Sequence, residues 1–364
     1  MKNIKLIICI IIFALISIVT IYSSTFILSN NYKYLYIKQG LWYLFGFLLI
    51  FIIWKCKKGF FYKYDKILYF IFNSLLVLVL FFGTKSNGSS AWFEIPGIGS
   101  FQPSEFMKII LIIVLANELD KYKNIDKTFK NELIVILKCL IITILPAILT
   151  FLEPDTGNVI IYFVILIVML FVYGIRYRWF IISLTIIIIT IGSFLYLYFY
   201  KSDIFINIFG TDFFYRMDRI LEWKNKEGMQ LENALASIGS SPLTGYGLGK
   251  TPIYIPEAQT DFIVSIFLSN FGYITGVTFI LFLVYFDIIL IRIALFQKLK
   301  DKYTISGIIS ILLFQQIQNI GMNIGLLPIT GITLPFISYG GSSLISYMIL
   351  IGIIININKK TLKK

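Results

Sequence analysis

Ten apolar runs, most of them long enough to cross a lipid bilayer as a helix, divide this chain of 364 residues. A membrane-spanning helix needs about 20 consecutive apolar residues, within a range of about 17 to 25. The fourth run is short, and the eighth is too long for one straight span, so it either tilts or begins above the membrane. We therefore predict an all-α integral membrane protein with ten transmembrane helices. The runs cover roughly 4–28, 38–55, 65–83, 105–119, 132–151, 157–174, 177–200, 260–292, 303–327 and 337–357.

The composition agrees with a chain that lies mostly in lipid, and it restricts the possible chemistry. Only 14% of the residues are charged, whereas soluble domains carry about 25%. Histidine is absent, which excludes histidine metal ligands, histidine general bases and Ser-His-Asp triads. Acid–base chemistry is left to carboxylates, lysine, tyrosine or a bound metal. The cysteines, which form neither a close pair nor a metal spacing, are Cys9, Cys56 and Cys139.

The formal charge of +13 is explained by the orientation of the spans, so we expect no nucleic-acid partner. Lysine and arginine concentrate in the loops that lie inside when the N-terminus is cytoplasmic, as the positive-inside rule requires. We expect both termini in the cytoplasm and a retained first helix, not a cleaved signal peptide. Residues 1–364 are expected to form a single polytopic membrane domain, with a long extracytoplasmic loop at about 201–259 between helices seven and eight.

Four polar segments lie at the outer ends of the predicted spans, where membrane insertion disfavours charge. The first is 101-FQPSEFMKII-110, in which Pro103 suits the first turn of a helix. Glu105 and Lys108 are separated by three residues, so they share a helix face and can pair. Either this is an ion pair at the start of a helix, or Lys108 is a cation that lines a polar cavity.

Two further segments carry carboxylates. In 152-LEPDTGN-158, Glu153 and Asp155 flank a proline, which is ordinary turn chemistry and also a weak candidate for a divalent-metal site. In 253-IYIPEAQTDFIVSIFLSNFGYITG-276, Asp261 opens the eighth run and Glu257 lies one turn upstream. An aspartate in the first turn of a helix is favoured by the helix dipole. The residues alone leave Asp261 divided between that structural role and a catalytic one.

The fourth segment, 328-PITGITLPFISYGGSS-343, contains two prolines and several small residues that interrupt helix between spans nine and ten. Non-helical backbone at membrane depth is tolerated where it is buried or lines a cavity. Gly340 and Gly341 also allow a ligand to approach the backbone closely. Because all four segments lie on the same side of the membrane, we predict a shared cavity that opens outward.

The motifs 101-FQPSEFMK-108, 153-EPDTG-157, 256-PEAQTDF-262 and 337-ISYGGSS-343, in this order, resemble those of the SEDS family of RodA/FtsW-like proteins. The resemblance extends along nearly the whole chain. It implies ten spans, a long outer loop and both ends inside the cell, in the cytoplasmic membrane of a bacterium. It also implies a peptidoglycan glycosyltransferase that polymerises lipid II at the outer membrane face, in cell shape, division or sporulation.

The resemblance assigns roles to individual residues. Asp261 corresponds to the proposed catalytic residue of the family, and Glu105 and Lys108 correspond to the glutamate and following lysine of its QPSE motif. We expect Asp261 to act as general base on the attacking sugar hydroxyl, with inversion of the α-linked donor to a β-1,4 product. The remaining candidates for substrate binding are Gln102, Trp92, Glu257, Ser338, Gly340, Gly341 and Ser342.

Partners follow from the same resemblance. They are lipid II, a class B penicillin-binding protein and other elongation or division machinery, with Mg or Mn as a divalent cation that would suit pyrophosphate chemistry. The alternative function is a non-catalytic lipid II transporter or a scaffold for another cell-wall synthase. The chain departs from the family pattern at Ala91, where a basic residue is usual, at Gln259, where histidine is usual, and at Ser269 and Asn270, where acids are usual.

Overall fold

The computed structural model describes residues 2–29, 32–86, 89–95, 99–210 and 228–359. Within these ranges ten helices have 18 residues or more, in the order that the apolar runs predicted. They are α1 (Lys2–Ser24), α2 (Leu35–Lys55), α4 (Asp65–Phe82), α5 (Pro103–Lys121), α6 (Phe129–Leu152), α7 (Thr156–Tyr173), α8 (Tyr177–Tyr200), α11 (Ile263–Ala294), α12 (Leu299–Asn323) and α13 (Gly341–Asn358). The shorter helices are α3 (Phe60–Lys63), α9 (Ser202–Phe209) and α10 (Met229–Gly239).

Nine of these helices are long and apolar enough to cross a membrane, counted over the described residues. The exception is α5, the fourth and shortest predicted run, which carries charged residues near both of its ends. The all-α membrane fold is confirmed, whereas the count of ten spans remains a prediction. The chain is a multi-pass membrane protein in which α12 is the most enclosed candidate span, while the most apolar stretch of α8 is not buried at all.

Local chemistry fixes two helix ends at the same end of the bundle. Pro103 occupies the first turn of α5, where its missing N–H costs no hydrogen bond. The Asp155 side chain accepts a hydrogen bond from the Asn158 N–H and so caps α7. These ends place the polar segments 101–108 and 152–158 at the same level of the bundle.

The eighth run is not one straight helix. Gly272 interrupts α11 with φ 79° and ψ 178°. A Cβ placed on Gly276 would lie 2.2 Å from the Leu268 side chain, and the rings of Phe267 and Phe279 are 5.1 Å apart. In a straight helix these two pairs would be separated by rises of about 12 and 18 Å. The chain therefore turns sharply at Gly272, and residues 263–271 pack against the span that follows.

The glycine-rich turn at 239–249 fills the break in α11. Tyr246 N–H donates to the Ser269 carbonyl at 2.9 Å, and Gly247 N–H donates to the Asn270 carbonyl at 3.0 Å. A Cβ on Gly272 would lie 2.2 Å from the Leu243 carbonyl oxygen, so no other residue fits there without movement. The turn thus satisfies backbone groups that the helix break would leave without partners.

A small antiparallel sheet was not foreseen in the Gly-, Ser- and Pro-rich outer loop before α5. Its strands are β1 (Thr84–Ser86), β2 (Ser89–Ile95) and β3 (Gly99–Phe101), in the order β1-β2-β3. Phe93 pairs with Phe101, and Trp92 pairs with Thr84. Aromatic residues favour such pairing, but strands this short carry little periodic signal. Of the long loop 201–259, residues 211–227 lie outside the described ranges.

Candidate active site

The first polar segment forms a buried ion pair at the outer end of α5. Lys108 Nζ lies 2.8 Å from Glu105 Oε1, and the lysine side chain is only 1% exposed. Ser346 of α13 donates a hydrogen bond to the other carboxylate oxygen of Glu105 at 3.2 Å. The ammonium also lies over the ring of Tyr347, 5.8 Å from its centroid. The expected pair is present, and α13 completes its surroundings.

The second polar segment joins the first through Asp155. Asp155 Oδ2 accepts hydrogen bonds from Gln102 at 2.8 Å, Ser104 at 3.2 Å and the Asn158 side chain at 2.7 Å. Burial raises the pKa of Asp155, against the hydrogen bonds from Asn158, which lower it. Tyr162 donates to the Ser104 carbonyl at 3.0 Å and closes the network from below.

Glu153 differs from its neighbour. It is fully buried, and neither carboxylate oxygen has a hydrogen-bond partner among the described residues. Burial, followed by the charge of Asp155, raises the pKa of Glu153 to about 9, so this carboxyl is neutral at pH 7.

The predicted metal pair therefore does not fit a divalent cation well. Asp155 is occupied as a cap and by three side-chain donors. The described part of the chain contains no group of three or more Asp, Glu, Cys or His residues that could hold a metal. Asp155 is already bonded, and two carboxylates alone supply few of the oxygen ligands that Mg or Mn requires.

Asp261 lies just before α11 and not in its first turn, because the helix begins at Ile263 with Phe262 as its N-cap residue. The expectation that Asp261 opens the helix is therefore wrong, and capping no longer explains this acid. Its carboxylate oxygens make no hydrogen bond within the described residues, while its main-chain carbonyl accepts two, from Asn319 and Asn323. Burial, followed by the charge of Glu257, raises the pKa of Asp261 to about 7.

The remaining residues of the third segment turn inward around Glu257. Its Oε2 atom accepts hydrogen bonds from Gln259 Nε2 and Thr260 Oγ1, both at 3.1 Å. Gln259, which replaces the usual histidine, is therefore a partner of the second acid in this segment. Glu257 is held in place, whereas the Asp261 carboxylate is the group left available for chemistry.

The fourth segment, 328–343, forms hydrogen bonds with the backbone of the third segment, 253–276. Ser338 Oγ donates to the Thr260 carbonyl at 2.6 Å, and Tyr339 N–H donates to the Gln259 carbonyl at 2.8 Å. Gln39 on α2 donates to the Ser338 carbonyl at 3.2 Å and accepts from Gly340 N–H at 3.4 Å. The Ser338 hydroxyl thus contacts the backbone of the turn that carries Asp261.

Two further contacts join the fourth segment to the first segment and to β3. Gln102 N–H donates to Ser342 Oγ at 3.1 Å, and Ser342 donates to the Ser100 carbonyl at 2.8 Å. A Cβ on Gly341 would lie 2.8 Å from the Trp42 indole, so the glycine is required by a neighbouring ring. Gly331 faces Asp261, since its Cβ position is 3.8 Å from Asp261 Oδ2. All four polar segments therefore meet at one end of the bundle.

Other predicted residues occupy less direct positions. Trp92 lies in β2, half-buried, and its indole makes no hydrogen bond within the described ranges. Ala91 is buried. Ser269 and Asn270 accept the backbone bonds of the glycine-rich turn, and Asn270 Nδ2 donates to Ser23 at 2.7 Å. The side chains of Gln259 and Asn270 thus have hydrogen-bond partners, whereas the Ser269 hydroxyl is buried without one among the described residues.

Sequence reasoning missed the residues that support the site from other helices. Asn319 and Asn323 on α12 hold the Asp261 backbone, while Ser346 and Tyr347 on α13 surround the Glu105–Lys108 pair. A signal for the asparagines was present, because polar amides four residues apart in an apolar run share one helix face. No local pattern indicates which backbone group that helix face contacts.

Known proteins resemble this chain over nearly its whole length. The profile of the family FTSW_RODA_SPOVE, described as "Cell cycle protein", matches residues 3–363. The "Probable peptidoglycan glycosyltransferase FtsW" of Wigglesworthia glossinidia brevipalpis is 35% identical over 342 residues, with 90% of this chain and 84% of that protein covered. "Stage V sporulation protein E" of Bacillus subtilis (strain 168) is 34% identical, with 86% and 84% covered.

A solved structure shares the fold. It is described as "Structural coordination of polymerization and crosslinking by a peptidoglycan synthase complex", and its matching chain superposes with a TM-score of 0.81. The two sequences are 22% identical, and the match covers 99% of this chain and 98% of the other. With the family profile and relatives above 30% identity, the resemblance inferred from the motifs is confirmed, and the chain belongs to the FtsW/RodA/SpoVE family of cell cycle proteins.

Proposed function

We propose that this protein is a peptidoglycan glycosyltransferase that polymerises lipid II at the outer face of the cytoplasmic membrane. Two relatives support the activity and its cellular settings through their names, FtsW glycosyltransferase and stage V sporulation protein. The single structural observation that carries the proposal is Asp261. It is an aspartate with a fixed backbone, a carboxylate without hydrogen-bond partners in the described structure, and a pKa raised to about 7.

The reaction that fits this site is a single displacement at the anomeric carbon of the donor. The 4-hydroxyl oxygen of the acceptor sugar forms a bond to that carbon, the bond to the lipid pyrophosphate breaks, and the hydroxyl proton passes to Asp261. A base with a pKa near the working pH combines a large deprotonated fraction with sufficient basicity. The leaving pyrophosphate needs charge neutralisation and no proton, so one carboxylate suffices for the acid–base work.

Lys108 takes part indirectly in this scheme. Its ammonium is buried and already bonded to Glu105, which leaves a pair of zero net charge. We propose that Lys108 fixes the Glu105 carboxylate, and through Ser346 the outer end of α13. Lys108 could support a nearby carboxylate or bind pyrophosphate directly, and the contacts fit the first role better.

A divalent cation is proposed to arrive with the substrate. Pyrophosphate oxygens are preferred ligands of Mg, which keeps several waters in such complexes. The carboxyl of Glu153 and the occupied carboxylate of Asp155 do not offer a resident site. Chelation of the cation is then expected to stop the wild-type protein and a Glu153→Gln variant at the same chelator concentration.

A partner transpeptidase and the membrane orientation are also proposed. The structural neighbour is described as coordinating polymerization and crosslinking in a synthase complex, which supports a class B penicillin-binding protein as the partner. Cytoplasmic termini are supported by the excess of basic residues in the loops on that side. Labelling of single cysteines with a membrane-impermeant reagent, placed at Asp203 and at Lys298, tests the orientation, since only the first position is expected to react from outside.

The decisive experiment is polymer formation from labelled lipid II by the purified protein, with a partner protein present. Asp261→Ala is expected to abolish the polymer. Asp203→Asn is the matched control, because Asp203 is an exposed acid in α9 of the same outer loop. Polymer that persists in Asp261→Ala contradicts the catalytic assignment. Absence of polymer in every protein, with lipid II bound, favours a transporter or a scaffold instead.

A further inference from the structure

Two asparagines on one face of α12 hold the main chain of Asp261. Asn319 Nδ2 and Asn323 Nδ2 both donate to the Asp261 carbonyl oxygen, at 3.0 and 2.9 Å. They are four residues apart, so they lie one above the other on the helix. Both are fully buried. Two amide donors on one carbonyl are an unusually strong constraint at a position just outside a helix.

Asn323 also interrupts the hydrogen bonding that would carry the helix through Asp261. In an α-helix the N–H of Ser265 would donate to the carbonyl of Asp261, four residues earlier. Here the Asn323 amide lies between them, since its Oδ1 accepts from Ser265 N–H at 3.0 Å and from Ser265 Oγ at 2.7 Å. The inserted amide satisfies both backbone groups and leaves Asp261 in the turn that precedes α11.

Asn319 also forms a hydrogen bond with the segment that faces the Asp261 carboxylate. Its Nδ2 also donates to the Ile332 carbonyl at 2.8 Å. Ile332 follows Gly331, whose Cβ position is 3.8 Å from Asp261 Oδ2. One side chain thus fixes the backbone of the acid and the backbone of the segment that faces its carboxylate.

An amide is the side chain that this position requires. It supplies a donor and an acceptor at once and carries no charge. A lysine or a carboxylate would bring charge close to Asp261 and shift its proton affinity. An aliphatic side chain of the same size would remove the donors to the Asp261 carbonyl and leave Ser265 N–H only the Phe262 carbonyl, at 3.1 Å.

We propose that Asn319 and Asn323 are positioning residues for the transferase reaction, which fix the height and direction of Asp261 through its main chain. This inference rests on the proposed role of Asp261 as general base. The asparagines touch no reacting atom in the scheme, so they act on turnover through the placement of one carboxylate. A misplacement of about 1 Å at a reacting group can lower a rate by about 100-fold.

The test compares three alanine variants in the lipid II polymerisation assay. Asn319→Ala and Asn323→Ala remove the bonds to Asp261, whereas Gln318→Ala removes a similar amide bond, from Gln318 Nε2 to the Pro328 carbonyl at 2.8 Å. Gln318 is the neighbouring residue on the same helix and does not contact Asp261 by any hydrogen bond within the described ranges. We expect kcat to fall about 100-fold in the two asparagine variants, with KM within about threefold of wild type.

The control separates placement from general loss of structure. Gln318→Ala is expected to keep kcat within about threefold while losing as much thermal stability as either asparagine variant. If an alanine variant does not fold, Asn319→Leu and Asn323→Leu keep the approximate volume of the side chain and lose the donor without adding a charge near Asp261. They are expected to show the same loss of kcat.

Two outcomes are distinguishable. Equal loss of kcat in Gln318→Ala and the asparagine variants, or unchanged kcat in the latter, overturns the positioning role. Full activity of Asp261→Asn in the same assay overturns the catalytic role of Asp261 itself, and with it the premise of this inference.

Discussion

Glu105 is buried and Asp261 is half-buried, and the protein treats these two acids in opposite ways. The Glu105 carboxylate is bonded on both oxygens, by Lys108 and Ser346. The Asp261 carboxylate has no such bond within the described ranges, while its backbone is held by two amides. A carboxylate whose charge the protein balances is part of the structure. One whose backbone is fixed and whose oxygens are left unbonded is available to a substrate.

Asp155 and Glu153 extend the comparison within a single turn. Asp155 resembles Glu105, because its carboxylate oxygens accept hydrogen bonds from four donors. Glu153 has no donors within the described structure, and its environment raises its pKa to about 9. Lack of partners alone therefore does not identify a catalytic acid. A base must also be deprotonated near neutral pH, and Asp261 meets this condition better than Glu153.

The largest expected effect is the loss of turnover when Asp261 is replaced. Asp261→Asn keeps the shape of the side chain and removes the base, so turnover should fall by about 100- to 10,000-fold. The melting temperature should stay the same or rise, because a desolvated charge beside Glu257 is lost. Polymer yield from labelled lipid II and a thermal melt measure the two quantities. A variant that melts well below wild type would place Asp261 among the structural acids.

The second expected effect tests the balanced acid. Lys108→Met leaves Glu105 buried without its cation, which typically costs about 3–5 kcal/mol. The double variant Glu105→Gln/Lys108→Met should recover most of the lost melting temperature, because no uncompensated charge remains.

The matched control for Lys108 is on the same helix. Lys121 pairs with Glu118 at the same spacing, but its side chain is 56% exposed, so Lys121→Met should cost no more than about 1 kcal/mol. Thermal melts of wild type, Lys108→Met, Glu105→Gln/Lys108→Met and Lys121→Met measure these losses. Equal losses at Lys108 and Lys121 would show that burial does not make the Glu105 pair important.

The sequence predicted that Glu105 and Asp261 belong to the site. It did not predict that one carboxylate is bonded and the other is not. Apolar runs located the long helices, and the motif 101-FQPSEFMK-108 placed Glu105 and Lys108 on one face because that pairing is local in the chain. The support of Asp261 comes from α12, 58 and 62 residues away, and no local pattern reports such contacts. The sharp turn at Gly272 was hidden for a similar reason, since a continuous apolar run has the same appearance whether it is straight or folded.

The third prediction concerns pH. If Asp261 is the base, kcat/KM should be constant above about pH 7 and fall about tenfold for each pH unit below it, as the carboxylate takes up its proton. Glu257→Gln removes the like charge that helps to raise this pKa, so the acidic limb should move to lower pH. Rates of polymer formation measured across the acidic and neutral range test both statements. A limb that does not move in Glu257→Gln would leave burial as the only cause of the raised pKa.

The smallest expected effect concerns Glu153, the unpartnered acid that we do not assign to catalysis. Its pKa is about 4.3 when unfolded and is raised to about 9 in the folded protein. A group with a raised folded pKa contributes stability at low pH that is lost as the pH increases through this window. Wild-type protein should therefore melt at lower temperature at pH 9 than at pH 5, and Glu153→Gln should reduce that difference by a few degrees. Glu94→Gln, at an exposed acid in β2, should leave the difference unchanged. Loss of polymerisation in Glu153→Gln at unchanged stability would assign Glu153 a catalytic role, because the carboxyl can release a proton and the amide cannot.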